Sequence, residues 1–169
     1  MPNLSLNALA RGPVRIREEI PVADPAWDGV DVDLRAPVRV ELEASPVGEG
    51  VLVRGTIAAE AMAECRRCLR PVTVRVDDTV DLLYEPLSAD EEVELGGEVY
   101  PLPDRGDDLD LTPALREQLL LRIPDFVVCD EACRGICPRC GADLNRTTCA
   151  CEPEAGEGPW DALKKIRFD

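Results

Sequence analysis

The residues of this 169-residue sequence with the clearest chemistry are its eight cysteines. They stand as Cys65-x2-Cys68, Cys129-x3-Cys133, Cys137-x2-Cys140 and Cys149-x-Cys151. A CxxC turn sets two sulfurs on one side of a tight loop, where both reach a single ion at about 2.3 Å. Backbone N–H groups of the same loop point at the sulfurs and favour the thiolates. In Cys137-Pro138-Arg139-Cys140-Gly141 the proline presets φ, and the glycine permits the positive φ expected just after the second ligand. Eight thiols make two complete ligand sets. The expectation is therefore two structural Zn2+ ions per chain, held by Cys65, Cys68, Cys129, Cys133, Cys137, Cys140, Cys149 and Cys151.

The sequence contains no histidine. That removes His-based triads, imidazole acid–base chemistry and every mixed Cys/His metal site, so any zinc must be held by thiolates or carboxylates. Two divisions of the cysteines are open. In the favoured one, Cys137, Cys140, Cys149 and Cys151 close a local site, and Cys65, Cys68, Cys129 and Cys133 close a second across a long loop. Loop closure grows only logarithmically with length, and a structural zinc site contributes on the order of 10 kcal/mol, so the long closure is affordable. In the other division the knuckles are exchanged. Disulfides, redox CxxC chemistry and an iron–sulfur cluster are weaker alternatives. A catalytic zinc would need an open position and a nearby base, whereas eight ligands divide evenly into two closed sites.

The wider sequence sets the surroundings. No apolar run approaches the roughly 20 residues that span a bilayer. The opening Met1-Pro2-Asn3-Leu4 lacks the pattern of a secretory signal, so a reducing, cytoplasmic setting is expected, where clustered cysteines usually bind metal. The formal net charge is −15, which disfavours broad coating of a phosphate backbone but leaves room for local basic contacts.

Several elements must position the cysteines. Residues 13–20, 37–45, 51–63 and 72–84 alternate apolar with polar side chains, as half-buried strands do, and Gly48-Glu49-Gly50 reads as a turn. A bulge is expected at Gly55. These runs predict an antiparallel meander. From Glu85 to Asp110 the chain carries ten acids against one arginine, Arg105, which reads as a solvated acidic loop. Thr112-Pro113 has the form of an N-cap and first helical residue, and Leu115, Leu119 and Ile123, with Leu120 beside them, form the apolar stripe of a helix over 113–123 that Pro124 stops. The fold expected is α+β: an antiparallel β-sheet meander with one packed helix and a C-terminal zinc-knuckle extension. The β-rich core covers 1–128, with acidic loop 85–110. The Cys-rich extension covers 129–169 and ends in a short helix at 160–167.

In Glu64-Cys65-Arg66-Arg67-Cys68-Leu69-Arg70-Pro71-Val72 the sequence resembles the YceD family of bacterial proteins. The resemblance continues through Leu109-Asp110-Leu111, the helix Arg116-Glu117-Gln118-Leu119-Leu120-Leu121 and Ile123-Pro124, then Gly135-Ile136-Cys137-Pro138-Arg139-Cys140-Gly141-Ala142-Asp143-Leu144-Asn145 and the tail Pro159-Trp160-Asp161-Ala162-Leu163. It covers the chain from about residue 30, and nothing functional is placed before that point. It implies a non-enzymatic role in large ribosomal subunit biogenesis and accumulation of 23S rRNA. The implied partner is pre-large-subunit rRNA or a ribosomal protein, with no small-molecule substrate and no membrane.

Two handles on a partner follow. Arg66, Arg67, Arg70 and Arg75 lie within eleven residues free of acids, on or beside the CxxC turn, and are candidates for RNA contact. The competing expectation is that they pair with the protein's own acids. Alternatively, the acidic loop grips a basic partner such as a ribosomal protein, and the chain is an adaptor without direct RNA contact.

Overall fold

Residues 2–86, 99–103 and 108–151 are described by a computed structural model. The chain opens with strand β1 (Asn3–Ser5) and a single turn α1 (Leu6–Leu9), then forms β2 (Val14–Ile20), a 3-10 turn (Pro25–Trp27) and β3 (Asp33–Leu34). The long strands β4 (Val38–Val47), β5 (Gly50–Glu64) and β6 (Pro71–Glu85) follow, then β7 (Val99–Pro101), β8 (Asp108–Asp110) and helix α2 (Thr112–Arg122). The main sheet runs β2-β4-β5-β6-β7, with β3 paired to β5 beyond the end of β4.

The alternation in the sequence becomes the two faces of this sheet. Val38, Val40, Leu42 and Ala44 of β4 and Val51, Val53 and Ile57 of β5 point into one core, joined by Val80, Leu82 and Tyr84 of β6. Leu115 and Leu119 of α2 belong to the same cluster, and Ile123 packs against it. The outer face carries charges in register. Arg15 lies opposite Glu43, Arg17 opposite Glu41, Arg54 opposite Asp81, and Glu60 opposite Arg75. Each is a cross-strand ion pair, Arg15–Glu43 at 2.9 Å and Arg75–Glu60 at 3.2 Å among them. Exposed pairs of this kind contribute little stability each, but a one-residue slip would set them against the wrong partners, so they help specify register.

Four expectations are corrected. Gly55 is not a bulge: pairing continues through it to Leu42 on one side and Val80 on the other. A Cβ there would collide with the Glu41 carbonyl and stand 2.8 Å from the Leu42 Cα, so glycine is required by close strand approach. The sheet is not a pure meander, because β7 pairs with β6 in parallel. The segment 85–110 is not wholly loop. It contains β7 and β8, and β8 pairs with β1 to bring Leu109 opposite the fully buried Leu4. Strands of three residues carry too few alternations to be visible as a pattern. The stretch before residue 30, where the sequence places nothing functional, contributes Leu4, Ile16, Ile20 and Trp27 to the core.

Finally, Thr112 is not the cap. It is the first helical residue, its hydroxyl is buried without a hydrogen-bond partner among the described residues, and its N–H donates to Asp110 Oδ1 at 2.8 Å. Asp110 therefore satisfies a free N–H at the helix start. At the other end Ile123 is extended, as a residue before proline prefers, and the helix stops at Arg122. The predicted helix at 160–167 and most of the acidic run (87–98 and 104–107) lie outside the described residues.

Candidate metal centre

Strands β5 and β6 are 15 residues each and pair from Val51↔Tyr84 to Glu64↔Pro71, so their hairpin extends well past the end of β4. Its tip is the turn Cys65–Arg70. After α2 the chain returns beside this tip. Arg66 N–H donates to Val127 O at 2.8 Å, and Ile136 N–H donates to Arg67 O at 2.9 Å. These two bonds bring Cys129 and Cys133 against Cys65 and Cys68.

Both CxxC turns have the same backbone. Leu69 N–H donates to Cys65 O and Gly141 N–H to Cys137 O, at 2.8 and 2.9 Å. Cys65 N–H then donates to Arg70 O, as Cys137 N–H does to Ala142 O. The residue after the second cysteine is left-handed in both, with φ +71 at Gly141 and +59 at Leu69. Glycine takes that conformation freely. At Leu69 it costs roughly 1–2 kcal/mol, and Leu69 is the one non-glycine residue with positive φ among the described residues. The geometry of the turn evidently outweighs the preference of the side chain.

The sulfurs converge in two groups, Cys65, Cys68, Cys129 and Cys133 in one, Cys137, Cys140, Cys149 and Cys151 in the other. Within each group all four Sγ atoms lie within 4.8 Å of one another. In the first, Cys65 and Cys133 are 3.9 Å apart and Cys68 and Cys129 3.6 Å. Four thiolates placed tetrahedrally about an ion at 2.3 Å have sulfurs about 3.8 Å apart, so the spacing fits a metal-bound quartet. Both groups could hold a metal ion. A S–S bond would require about 2.05 Å, and all eight cysteines are free.

Ionisation within each group is uneven. Hydrogen bonds from backbone N–H groups, Cys129 first, lower the Cys65 thiol to about 6. Arg70 beside it lowers Cys68, while desolvation by burial raises Cys129 to about 12. In the second group the N–H groups of Cys140 and Arg139 lower Cys137 to about 6, and hydrogen bonding with Cys140 and Cys137 raises Cys151 to about 12. The first quartet thus has two favoured thiolates, Cys65 and Cys68, and the second has one, Cys137, while Cys129 and Cys151 each hold their proton at neutral pH. Metal binding must displace that proton, so affinity falls as pH falls.

The four arginines nominated for RNA contact all make bonds within the protein. Arg70 donates from Nε to Cys68 Sγ and from Nη2 to Cys129 Sγ, each at 3.3 Å. Arg67 donates to the carbonyls of Glu131 and Cys133 at 2.8 and 3.0 Å. Arg66 donates to Asp125 O at 3.0 Å with its guanidinium 4.6 Å from the Phe126 ring centroid, and Arg75 pairs with Glu60. The side chains of Arg66, Arg67 and Arg70 fasten the turn to the returning chain through carbonyls and sulfurs, whereas Arg75 alone of the four pairs with an acid, across the sheet.

Sequence reading missed Asn145. Its Nδ2 donates to Cys133 Sγ at 3.5 Å and its Oδ1 accepts from Arg134 N–H at 2.7 Å, so the second knuckle braces the first. Its position between Cys140 and Cys149 gave no signal for a role in the other quartet.

Arg70 offsets negative charge on two sulfurs at once, which predicts a specific effect. Arg70→Ala should speed removal of metal from the first quartet by a chelator, with the second unaffected and Arg70→Lys intermediate. Equal extraction kinetics in Arg70→Ala and wild type would show the two N–H···S bonds to be incidental.

Taken together, these features define a small sheet protein with two tetracysteine knuckles clasped at the end of its longest hairpin. Residues 53–167 match the family described as large ribosomal RNA subunit accumulation protein YceD, and the chain belongs to that family. An uncharacterized protein of Mycobacterium tuberculosis is 37% identical over 127 residues, covering 73% of this chain and 60% of the relative. A chloroplastic protein of Zea mays, named large ribosomal RNA subunit accumulation protein YCED homolog 1, is 24% identical over 186 residues, covering 94% of this chain and 64% of its own length. The Arabidopsis thaliana protein of the same name is 24% identical over 157 residues, covering 76% and 49%. The chain thus spans 60% of the length of the mycobacterial relative. No solved structure matches it. No helix among the described residues is long and apolar enough to cross a membrane.

Proposed function

We propose that each cysteine quartet holds one structural zinc ion, and that the protein is a non-enzymatic factor in accumulation of the large-subunit ribosomal RNA. The donor set supports zinc: four thiolates in a closed arrangement suit that ion, and no ligand position is left for a substrate. When bound, zinc would cross-link the β5–β6 hairpin tip to the chain after α2, and fix the second knuckle upon it. The process rests on the family match over residues 53–167, strengthened by the names of the plant relatives. The setting that goes with both is cytoplasmic, where thiols stay reduced.

Two partners fit this process, pre-large-subunit rRNA and a ribosomal protein. The bonds of Arg66, Arg67, Arg70 and Arg75 to carbonyls, sulfurs and Glu60 within the protein support the protein partner, because these side chains already have a structural use. The test is sedimentation of a tagged chain from native lysate, with and without RNase. Co-migration with immature large-subunit particles is expected, together with a protein contact that survives RNase. Migration as free protein at low salt with zinc retained would remove the ribosomal process. Complete release by RNase would restore direct RNA contact.

A further inference from the structure

Beside the clasp runs a groove between the loop 29–33, the last residues of β5 and the C-terminal half of α2. Leu120 and Ile123 line its helix side, Leu69 lines the clasp side, and a second hollow continues it along Leu121. Three large apolar side chains at this end of the molecule are well exposed: Leu69 at 55%, Leu121 at 71% and Phe126 at 78%. Single exposed leucines are ordinary, but Leu69 and Leu121 line the groove and its continuation, with Phe126 next in the chain to the lining Asp125, and together they mark an interaction surface.

Its charges are one-sided in a way the sequence does not reveal. Two cations line the groove, Arg116, which donates to the carbonyls of Ala26 and Asp28 at 3.0 and 2.8 Å, and Arg66, which donates to that of Asp125, and the carboxylates of Asp31, Asp33, Glu64 and Asp125 outnumber them. The carboxylates of Asp31, Glu64 and Asp125 also line it, and none has a hydrogen bond or ion pair from a side chain among the described residues. This contrasts with the outer face of the sheet, where Glu41, Glu43, Glu60 and Asp81 are each matched to an arginine. An apolar floor with unmatched acids at its rim is complementary to a cationic, amphipathic chain and repels a phosphate backbone.

We infer that this groove docks an amphipathic segment of a partner protein that combines Lys or Arg with apolar side chains, its cations meeting Asp31, Glu64 and Asp125. The inference rests on the protein-partner reading above, but on neither the ribosomal process nor the number of zinc ions. It also moves the basic-partner site away from the acidic run 85–110, where the sequence placed it.

The probe is a short fluorescent peptide of leucines and lysines in a helical repeat, titrated into the zinc-loaded full chain and followed by anisotropy. Binding is expected to weaken by about tenfold or more in the triple variant Asp31→Lys, Glu64→Lys, Asp125→Lys, and comparably in Leu121→Ser with Phe126→Ser. All five positions are exposed, so folding should be retained, and circular dichroism checks this. Reversal of Asp90, Glu91 and Glu92 to Lys should leave binding nearly unchanged. Equal weakening by that second triple variant would assign the peptide to diffuse negative charge and overturn the site. So would a single-stranded RNA oligonucleotide that binds tightly to the unsubstituted chain and displaces the peptide from it. Loss of peptide binding with RNase-resistant ribosomal co-migration intact would sink the groove alone. Groove binding without co-migration would sink the ribosomal reading alone.

Discussion

Cys65→Ser is expected to release one zinc ion and to unfasten residues 124–151 while the sheet remains folded. The two parts have separate cores. The sheet and α2 share one large cluster, whereas the cluster of the clasp is Cys65, Cys68 and Cys133, with Val72, Cys129 and Ile136 against them. So small a cluster cannot order the segment by burial alone. A structural zinc ion contributes on the order of 10 kcal/mol, so its loss exceeds anything else that holds the clasp. Hydrogen exchange at Ile136 and Leu144, whose N–H groups donate to Arg67 O and Gly135 O, should rise to the rate of open chain. Amides of β4 and β5 should keep their protection. Cys140→Ser, in a quartet closed within a single stretch, should loosen residues 137–151 and spare the bond between Ile136 and Arg67. Retained protection at Ile136 in zinc-free Cys65→Ser would show that the clasp folds without metal.

The second large effect is expected at Gly55. In most strand interiors, replacing glycine by alanine stabilises by roughly 0.5–1 kcal/mol, because glycine loses more freedom on folding. Here the sign should reverse. The new Cβ would meet backbone on β4, the Glu41 carbonyl and the Leu42 Cα, and backbone cannot swing aside as a side chain can. Gly55 also sits between two partners in the middle of the sheet. Gly55→Ala should cost about 3 kcal/mol, at or above the upper range for overpacking, and Gly55→Val should prevent folding. The denaturant midpoint measures it. A midpoint at or above that of wild type would mean that β4 and β5 stand farther apart than described.

Gly55 also shows what a sequence conceals. The four long alternating runs were legible because each holds enough apolar positions at period two to be recognised, and the α2 stripe at Leu115, Leu119 and Ile123 was legible for the same reason. A lone glycine in such a run is equally compatible with a bulge and with close approach, and only the neighbouring strand decides. β7 and β8 were hidden by shortness, and their pairing partners, β6 and β1, are set by tertiary packing. The cysteine quartets were legible as ligand types and spacing, since thiols paired with one to three residues between them have few other uses in a reducing setting. The roles of Arg70 and Asn145 were not, because each acts on a sulfur that only the fold brings near. Arg66 and Arg67 attracted attention as a basic cluster, but a guanidinium that satisfies carbonyls in its own protein reads the same in sequence as one awaiting a phosphate.

The central claim is that two closed tetrathiolate sites hold this protein's clasp together. Native mass spectrometry of the full chain, expressed with zinc and exchanged into volatile buffer at neutral pH, tests it most directly. The account predicts two zinc ions per chain, reduced to one in Cys65→Ser and to one in Cys140→Ser, and to none only when both are combined. A single ion in the wild type that either substitution abolishes, or iron in place of zinc, would contradict it.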